Sequence, residues 1–311
     1  MRESEICTGC GVCSFLCPVN AIDIKKENNT FQRKIHSECC VKCNKCINAC
    51  HMNDSMRNNP YKAYIAESKK YRYRKRSASG GIASSIYEYG LNNNYVCVGA
   101  FFTEGRVKYD VIQNEEDILK CGGSKYVESH MDNLFGNIVN STKGRIIFIG
   151  LPCHCAAFKK LVKDKNVEYI LIDIVCNGVC DETKLAEDLG THGINIKDIG
   201  DIRFREKNNQ YGITVRNFDG DLIKKIEKSA DSYMQEYERG VNIFTHCKDC
   251  VYSHKSRVGD ITLKDYVWKY GVSNILVNTV RGEKFISNLE DSIYLTEYSL
   301  EKVVQDDKRI Q

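Results

Sequence analysis

The chain has 311 residues, 42% hydrophobic and 28% charged, with a formal net charge of +4, which is the make-up of an ordinary globular chain long enough for more than one core. So small a positive excess gives no reason to expect nucleic acid as a partner, and no run reaches the roughly 18 apolar residues that a membrane span needs. Met1–Glu5 leads straight into a cysteine motif without the pattern of a signal peptide, so a cytoplasmic location is expected.

In that setting the 17 cysteines read as metal ligands rather than as disulfides. The first stretch is Cys7-Thr-Gly-Cys10-Gly-Val-Cys13-Ser-Phe-Leu-Cys17-Pro18, echoed by Cys40-Val-Lys-Cys43-Asn-Lys-Cys46-Ile-Asn-Ala-Cys50. In a C-x2-C-x2-C-x3-C run, three close thiolates hold one iron–sulfur cube and the fourth ligates a second cube. The doubled spacing assigns cluster one to Cys7, Cys10, Cys13 and Cys50, and cluster two to Cys40, Cys43, Cys46 and Cys17. Structural zinc is the alternative, but its sites close with two separated pairs, whereas each run here carries four ligands by itself. Cys39 adjoins Cys40 and would stretch the first interval, so Cys40 is preferred.

These residues resemble the bacterial two-cluster ferredoxins over about residues 4–55. The resemblance implies a small pseudo-symmetric unit, with Ala21-Ile22-Asp23-Ile24 in short strands. The second repeat has His51 where a proline is usual, so the turn there is expected to differ. This gives a ferredoxin-type domain over 1–55, followed by a linker over 56–76 that ends in the basic run Lys69-Lys70-Tyr71-Arg72-Tyr73-Arg74-Lys75-Arg76. Basic residues interleaved with tyrosine can bind single strands, but a solvated or docked linker is the default reading.

Ser77-Ala78-Ser79-Gly80-Gly81 then opens a segment with Ile82, Ile86, Tyr89 and Gly90 at helical spacing. A Ser/Gly turn at a helix start lets a ring or a phosphate approach the main chain. Two strand-like runs, 95–102 and 106–112, are joined by Glu104-Gly105. Next come a second glycine turn beside a fixed cation, Cys121-Gly122-Gly123-Ser124-Lys125, and the apolar strand 145–150 running into Leu151-Pro152-Cys153-His154-Cys155 and a helix. A cysteine at such a turn lies near a helix N-terminus, which favours its thiolate. The strand 169–175 ends at Cys176-Asn177-Gly178-Val179-Cys180. A hairpin with Asp219-Gly220 at its turn follows, then Cys247-Lys-Asp-Cys250, a strand at 275–279 and a closing helix from Arg281.

Nine cysteines remain beyond the ferredoxin set. Cys153 and Cys176 at strand ends, with the Cys247/Cys250 pair, suit a third cube; structural zinc or plain buried thiols are the alternatives. Cys39, Cys97, Cys121, Cys155 and Cys180 are left as spare. Over about residues 76–290 the chain resembles the family of beta subunits of coenzyme F420-reducing hydrogenase and dehydrogenase. The match lies at Ser79-Gly80-Gly81, Gly123-Ser124-Lys125-Tyr126-Val127, Pro152-Cys153, Cys176-Asn177-Gly178-Val179, Phe204-Arg205, Cys247-x2-Cys250, Asp260-Ile261-Thr262-Leu263, Asp265 and Gly271-Val272-Ser273.

The resemblance implies an α+β architecture, with the small two-cluster domain followed by a larger mixed α/β domain split as 77–150 and 151–311. It also implies a flavin, FAD or FMN, held by Ser79, Gly80, Gly81, Gly122, Gly123, Ser124, Lys125, Asn177 and Gly178. Expected partners are a ferredoxin-like redox protein and a small-molecule two-electron substrate, coenzyme F420 or another. Departures bear on the substrate pocket: the family's Gly-Asp-Phe-Trp-Gly reads Lys264-Asp265-Tyr266-Val267-Trp268-Lys269, and Asn177 stands where histidine is common. No dinucleotide or P-loop fingerprint occurs, so the flavin rests on the resemblance and on chemistry: a cube takes one electron, a hydride carries two, and some group must split the pair. Neither His154 nor His246 stands out as a proton donor. The leading expectation is an iron–sulfur flavoprotein oxidoreductase; an electron-transfer subunit without its own substrate is the alternative, and a cluster-based sensor that binds through the basic run is a more distant one.

Overall fold

The computed structural model describes residues 6–53, 57–132, 134–139, 144–206 and 210–311. In the first stretch, β1 (Ile22–Glu27) and β2 (Thr30–Ile35) form an antiparallel hairpin with Glu27 opposite Thr30. Its two-residue turn is Asn28-Asn29, both at positive φ, the geometry that fits the twist of a tight hairpin. Each cysteine run carries one helical turn, Val12–Phe15 and Lys45–Asn48. Each turn starts from a left-handed residue, Gly11 (φ 77°) and Asn44 (φ 60°), two of the residue types that tolerate this conformation best. The pseudo-symmetry expected from the doubled motif is therefore present in the backbone.

The larger unit is built on a nine-stranded sheet. Its strands are β3 (Lys62–Ser68), β4 (Val96–Thr103), β5 (Arg106–Ile112), β6 (Ser129–His130), β7 (Arg145–Gly150), β8 (Glu168–Ile174), β12 (Ile261–Asp265), β13 (Ser273–Val277) and β14 (Ile293–Tyr298). Between β8 and β12 the chain forms a separate antiparallel sheet from β9 (Asp201–Glu206), β10 (Gln210–Arg216) and β11 (Leu222–Glu227). The order in the large sheet is β14-β3-β13-β12-β8-β7-β4-β5-β6. β12, β8, β7 and β4 pair in parallel, and β13 runs antiparallel between β12 and β3. Alternate residues of the central strands enter two cores, Ile147, Ile149, Ile170 and Ile172 on one face and Ile146, Phe148 and Leu171 on the other. Burial on both faces explains why these strands read as unbroken apolar runs.

The helix Pro152–Val162 covers the second face together with the ferredoxin-type unit, whose Val12, Ala49, Cys10 and Leu16 join that core. Phe15 meets Phe135 at 4.9 Å between ring centroids and Phe31 stacks on Phe244 at 4.8 Å. Lys26 reaches Glu128 at 2.5 Å and Asp181 at 2.9 Å. The cysteine-rich unit is thus docked on the large one through apolar, aromatic and ionic contacts together.

The expected linker over 56–76 is corrected here. β3 lies inside the sheet, with Ala63 opposite Leu276 on one side and Tyr298 on the other, and Tyr71–Arg76 is a helix. The basic run is docked rather than free: Lys70 pairs with Glu88, Arg72 with Glu115 and Arg76 with Asp201, while Tyr73 is fully buried. The expected closing helix, Val280–Ser287, is followed by β14 and a last helix, Leu300–Gln305. Among the described residues, no helix is long and apolar enough to cross a membrane.

Candidate metal and cofactor centres

The four central strands β12, β8, β7 and β4 point their carboxyl ends to one edge of the sheet, where ligands of open α/β sheets bind. Gly150 ends β7 there and leads to Cys153 in the first turn of the helix Pro152–Val162; Ile174 ends β8 and leads to Cys176. The loop before β12 brings Cys247 and Cys250 to the same place, and all four cysteines line one cavity. Thr8, Gly9 and Phe31 of the ferredoxin-type unit close it from the other side, and His154, His246 and Arg309 complete the wall. Burial pushes the Cys247 thiol up to about 12 and strongly raises that of Cys153, with the neighbouring sulfurs adding to the rise. Thiolates crowded into a buried site need a cation among them, so this set of four sulfur donors fits a metal centre.

The loop that presents Cys250 is anchored by an ion pair away from solvent. Asp173 on β8 is fully buried and accepts from Arg257 Nη2 at 3.0 Å, from Thr262 Oγ1 at 2.6 Å, and from the backbone N–H groups of Val258 and Gly259, both at 2.9 Å. Arg309, near the chain's last residues, donates to the carbonyls of Asn177 (3.0 Å) and Cys247 (3.4 Å). Sequence reasoning missed Asp173, Arg257 and Arg309, because their roles depend on partners far along the chain: 84 residues apart for Asp173 and Arg257, and 62 and 132 in the Arg309 contacts.

The other cysteine sets also gather. Burial raises the thiols of Cys7, Cys10 (to about 12) and Cys13 (to about 11); all three feel Cys50, Cys10 and Cys13 also feel Cys7, and Cys10 feels Cys13. Cys17, Cys40, Cys43 and Cys46 line a second cavity with Pro18, Val19, Ala21 and Ile22. Cys39 is exposed and does not line it. The cysteines read as spare stand apart from the large cavity: Cys155 is buried with its thiol toward the Gly150 and Ile172 carbonyls, Cys180 lies in the core around Phe204 and Tyr233, and Cys97 and Cys121 belong to the core around Ile86. The first and third sets are neighbours, since Cys10 is among the sulfurs that act on Cys153.

The glycine turns divide. Gly81 has φ 77° and caps the helix Ile82–Asn92. A Cβ on Gly80 would lie 2.6 Å from the Ala66 carbonyl and 2.9 Å from the Ser273 nitrogen, and the Ser79 hydroxyl donates to the Val272 carbonyl at 2.6 Å. Arg76 links this region to the second turn, its Nε donating to the Leu119 carbonyl at 2.8 Å and its side chain lying where a Cβ on Gly122 would go. Gly123 has φ 91° and only the Arg76 carbonyl within reach of an added Cβ, at 3.8 Å. Lys125 is turned onto the Cys121 and Gly123 carbonyls, and its burial lowers its affinity for a proton. Asn177 and Gly178 stand instead beside the third cysteine set: Gly178 N–H points at Cys176 Sγ (3.4 Å), and a Cβ there would lie 3.2 Å from that of Cys247.

His154 and His246 are held neutral by burial, which lowers their values to about 3 and about 4. The ring of His154 lies 3.3 Å from the Tyr109 hydroxyl.

Comparison with known proteins follows the same division of the chain. The 4Fe-4S dicluster domain matches residues 6–53. The N-terminal part of the coenzyme F420 hydrogenase/dehydrogenase beta subunit matches 63–135, and its C-terminal part matches 143–303. The chain belongs to the family of coenzyme F420 hydrogenase/dehydrogenase beta subunits. Within that family, the N-terminal match begins inside β3, in agreement with the corrected boundary. A coenzyme F420-dependent sulfite reductase of Methanocaldococcus jannaschii is 24% identical over 93% of this chain, which spans 46% of that protein's length. One component of the F420H2 dehydrogenase of Methanosarcina mazei is 20% identical, with 95% of this chain and 85% of that component covered. The fold is shared with a chain of the F420-reducing NiFe hydrogenase complex of Methanosarcina barkeri, with a TM-score of 0.57 at 16% identity over 77% of this chain and 82% of that one.

Proposed function

We propose that this family member is an iron–sulfur flavoprotein oxidoreductase with three 4Fe-4S centres, working between a one-electron protein carrier and a two-electron small molecule of the coenzyme F420 class. The observation that carries the reading is the gathering of Cys153, Cys176, Cys247 and Cys250 in one cavity at the carboxyl edge of the sheet, against the Cys7/Cys10/Cys13/Cys50 set. Bound clusters would supply one-electron storage, and a bound flavin would join that to two-electron chemistry. The chain's own part is to hold the thiolates, exclude water and fix the spacing. Buried Asp173 keeps the Cys250 loop in place, and Arg309 sets a positive charge beside Cys176 and Cys247, which favours their thiolates.

Gly123 is the glycine of the second turn with room beside it, whereas Gly122 is packed against Arg76. The tight packing at Gly80 and the engaged Ser79 hydroxyl favour a second reading, an electron-transfer subunit whose substrate is turned over elsewhere. Anaerobic purification and reconstitution followed by iron, sulfide and flavin analysis tests both. Flavin bound at one per chain and bleached by reduced coenzyme F420, NAD(P)H or another donor without partner proteins supports the enzyme. Three clusters' worth of iron with no flavin supports the subunit without a substrate.

A further inference from the structure

We propose that His51 and Tyr252 are positioning residues that lock the first cysteine set against the third, making that contact the internal junction of the protein. This inference rests on the three-centre reading above. His51 follows Cys50 directly and is 1% exposed. One ring nitrogen shares a hydrogen bond of 2.5 Å with the Tyr252 hydroxyl, and the other shares one of 3.0 Å with the hydroxyl of Thr8, the residue after Cys7. Tyr252 lies two residues beyond Cys250 and is itself 3% exposed, with its carbonyl held by Arg257 of the Asp173 network. Three loops that present Cys7, Cys50 and Cys250 are thereby tied at one imidazole.

Cys10, Cys153, Cys250 and Tyr252 pack into the same core. The Cys17/Cys40/Cys43/Cys46 set opens instead into its own cavity, with Cys43 exposed and Val41 59% exposed at its rim. The geometry therefore makes the first set the inner one and the second the outer one. A buried imidazole with both nitrogens engaged has a reason to stand where proline is usual, because proline's ring nitrogen is the amide nitrogen of the backbone and neither donates nor accepts. Removing the imidazole takes from the Tyr252 hydroxyl the shorter of its hydrogen bonds and leaves the one to the residue 51 carbonyl at 3.4 Å, a weakening that is costly at a buried group.

The test uses the full chain, reconstituted anaerobically, as wild type, His51→Pro, His51→Gln, Tyr252→Phe and Cys153→Ser. Iron and sulfide are counted, and the fully reduced protein is studied by electron paramagnetic resonance. Wild type is expected to hold three clusters' worth of iron and to show split, broadened signals from magnetic interaction between neighbouring centres, of which the splitting between the first and third centres disappears in Cys153→Ser. His51→Pro and Tyr252→Phe are expected to lose that splitting at unchanged iron content, and His51→Gln, which can still hydrogen-bond, to retain part of it. Wild-type splitting in both Tyr252→Phe and His51→Pro would overturn the proposal. If His51→Pro fails to load, Tyr252→Phe decides alone. Wild type lacking a third cluster's worth of iron would defeat the three-centre reading instead.

Discussion

Replacing Asp173 by asparagine isolates the anchor of the third cysteine set. The carboxylate is fully buried and bonds to the Arg257 guanidinium, to one hydroxyl and to two backbone N–H groups. All of its partners are donors. Asparagine keeps the shape but turns an NH2 group toward either the Val258/Gly259 amides or the Arg257/Thr262 side, and it leaves Arg257, 2% exposed, without its counter-ion. Breaking one side of such a buried pair costs roughly 3–5 kcal/mol. For a chain of this size that corresponds to a fall in melting temperature on the order of 10 °C. The assay is anaerobic thermal and urea denaturation followed by far-UV circular dichroism, with iron content measured in parallel. Asp173→Asn is expected to melt that much lower and to lose one cluster's worth of iron while keeping the two of the ferredoxin-type unit. The double change Asp173→Leu with Arg257→Met is expected to recover only part of the stability and not the third centre, because the Val258 and Gly259 amides still lack their acceptor. Destabilisation below about 0.5 kcal/mol in the single variant, within the range of an ordinary surface change, would refute the reasoning.

Single serine replacements of Cys153, Cys176, Cys247 or Cys250 should each remove one cluster's worth of iron, whereas Cys39→Ser, Cys155→Ser and Cys180→Ser should remove none. Gly80→Ala should destabilise by about 1–3 kcal/mol in urea titration, since the methyl group would meet backbone of β3 and β13 at 2.6 and 2.9 Å. Asp231 caps the helix Ser232–Glu238, and burial with nearby Asp188 raises its carboxyl from 3.8 to about 6. Between these values the folded chain holds a proton that the unfolded chain has released, so this group's contribution to stability falls as pH rises through about 4 to 6. The rise is worth at most about 3 kcal/mol, and about 1–2 after solvent screening. Asp231→Asn, an equally good cap, should gain on the wild type across that window in denaturation at pH 4, 5, 6 and 7; a constant difference would refute the assignment.

How far the sequence discloses this protein depends on how local each demand is. A cube needs its ligands at fixed short spacings, so the runs 7–17 and 40–50 were legible without any fold. The strands β7 and β8 were legible because both of their faces are buried. β3 was not: its buried residues are the small Ala63, Ala66 and Ser68, and its partners β13 and β14 lie some two hundred residues further on. β14 alternates Ile293 and Leu295 with exposed residues, but follows a helix so closely that its period was absorbed into that helix. The third cysteine set was found by counting leftovers at strand ends; its convergence follows only from parallel strands sharing a carboxyl edge.

The glycines show the opposite hazard. Ser79-Gly80-Gly81 reads as a ligand turn, yet Gly80 is required by the approach of Ala66 and Ser273, a packing demand that leaves the same sequence mark as a binding one. His51 resolves the same ambiguity in the other direction. A departure from the expected proline looked like tolerance of a local change, but a buried imidazole with both nitrogens engaged on loops from two units is a constraint. Where a residue breaks a motif without loosening the fold, its new partners are where the function of that departure is to be sought.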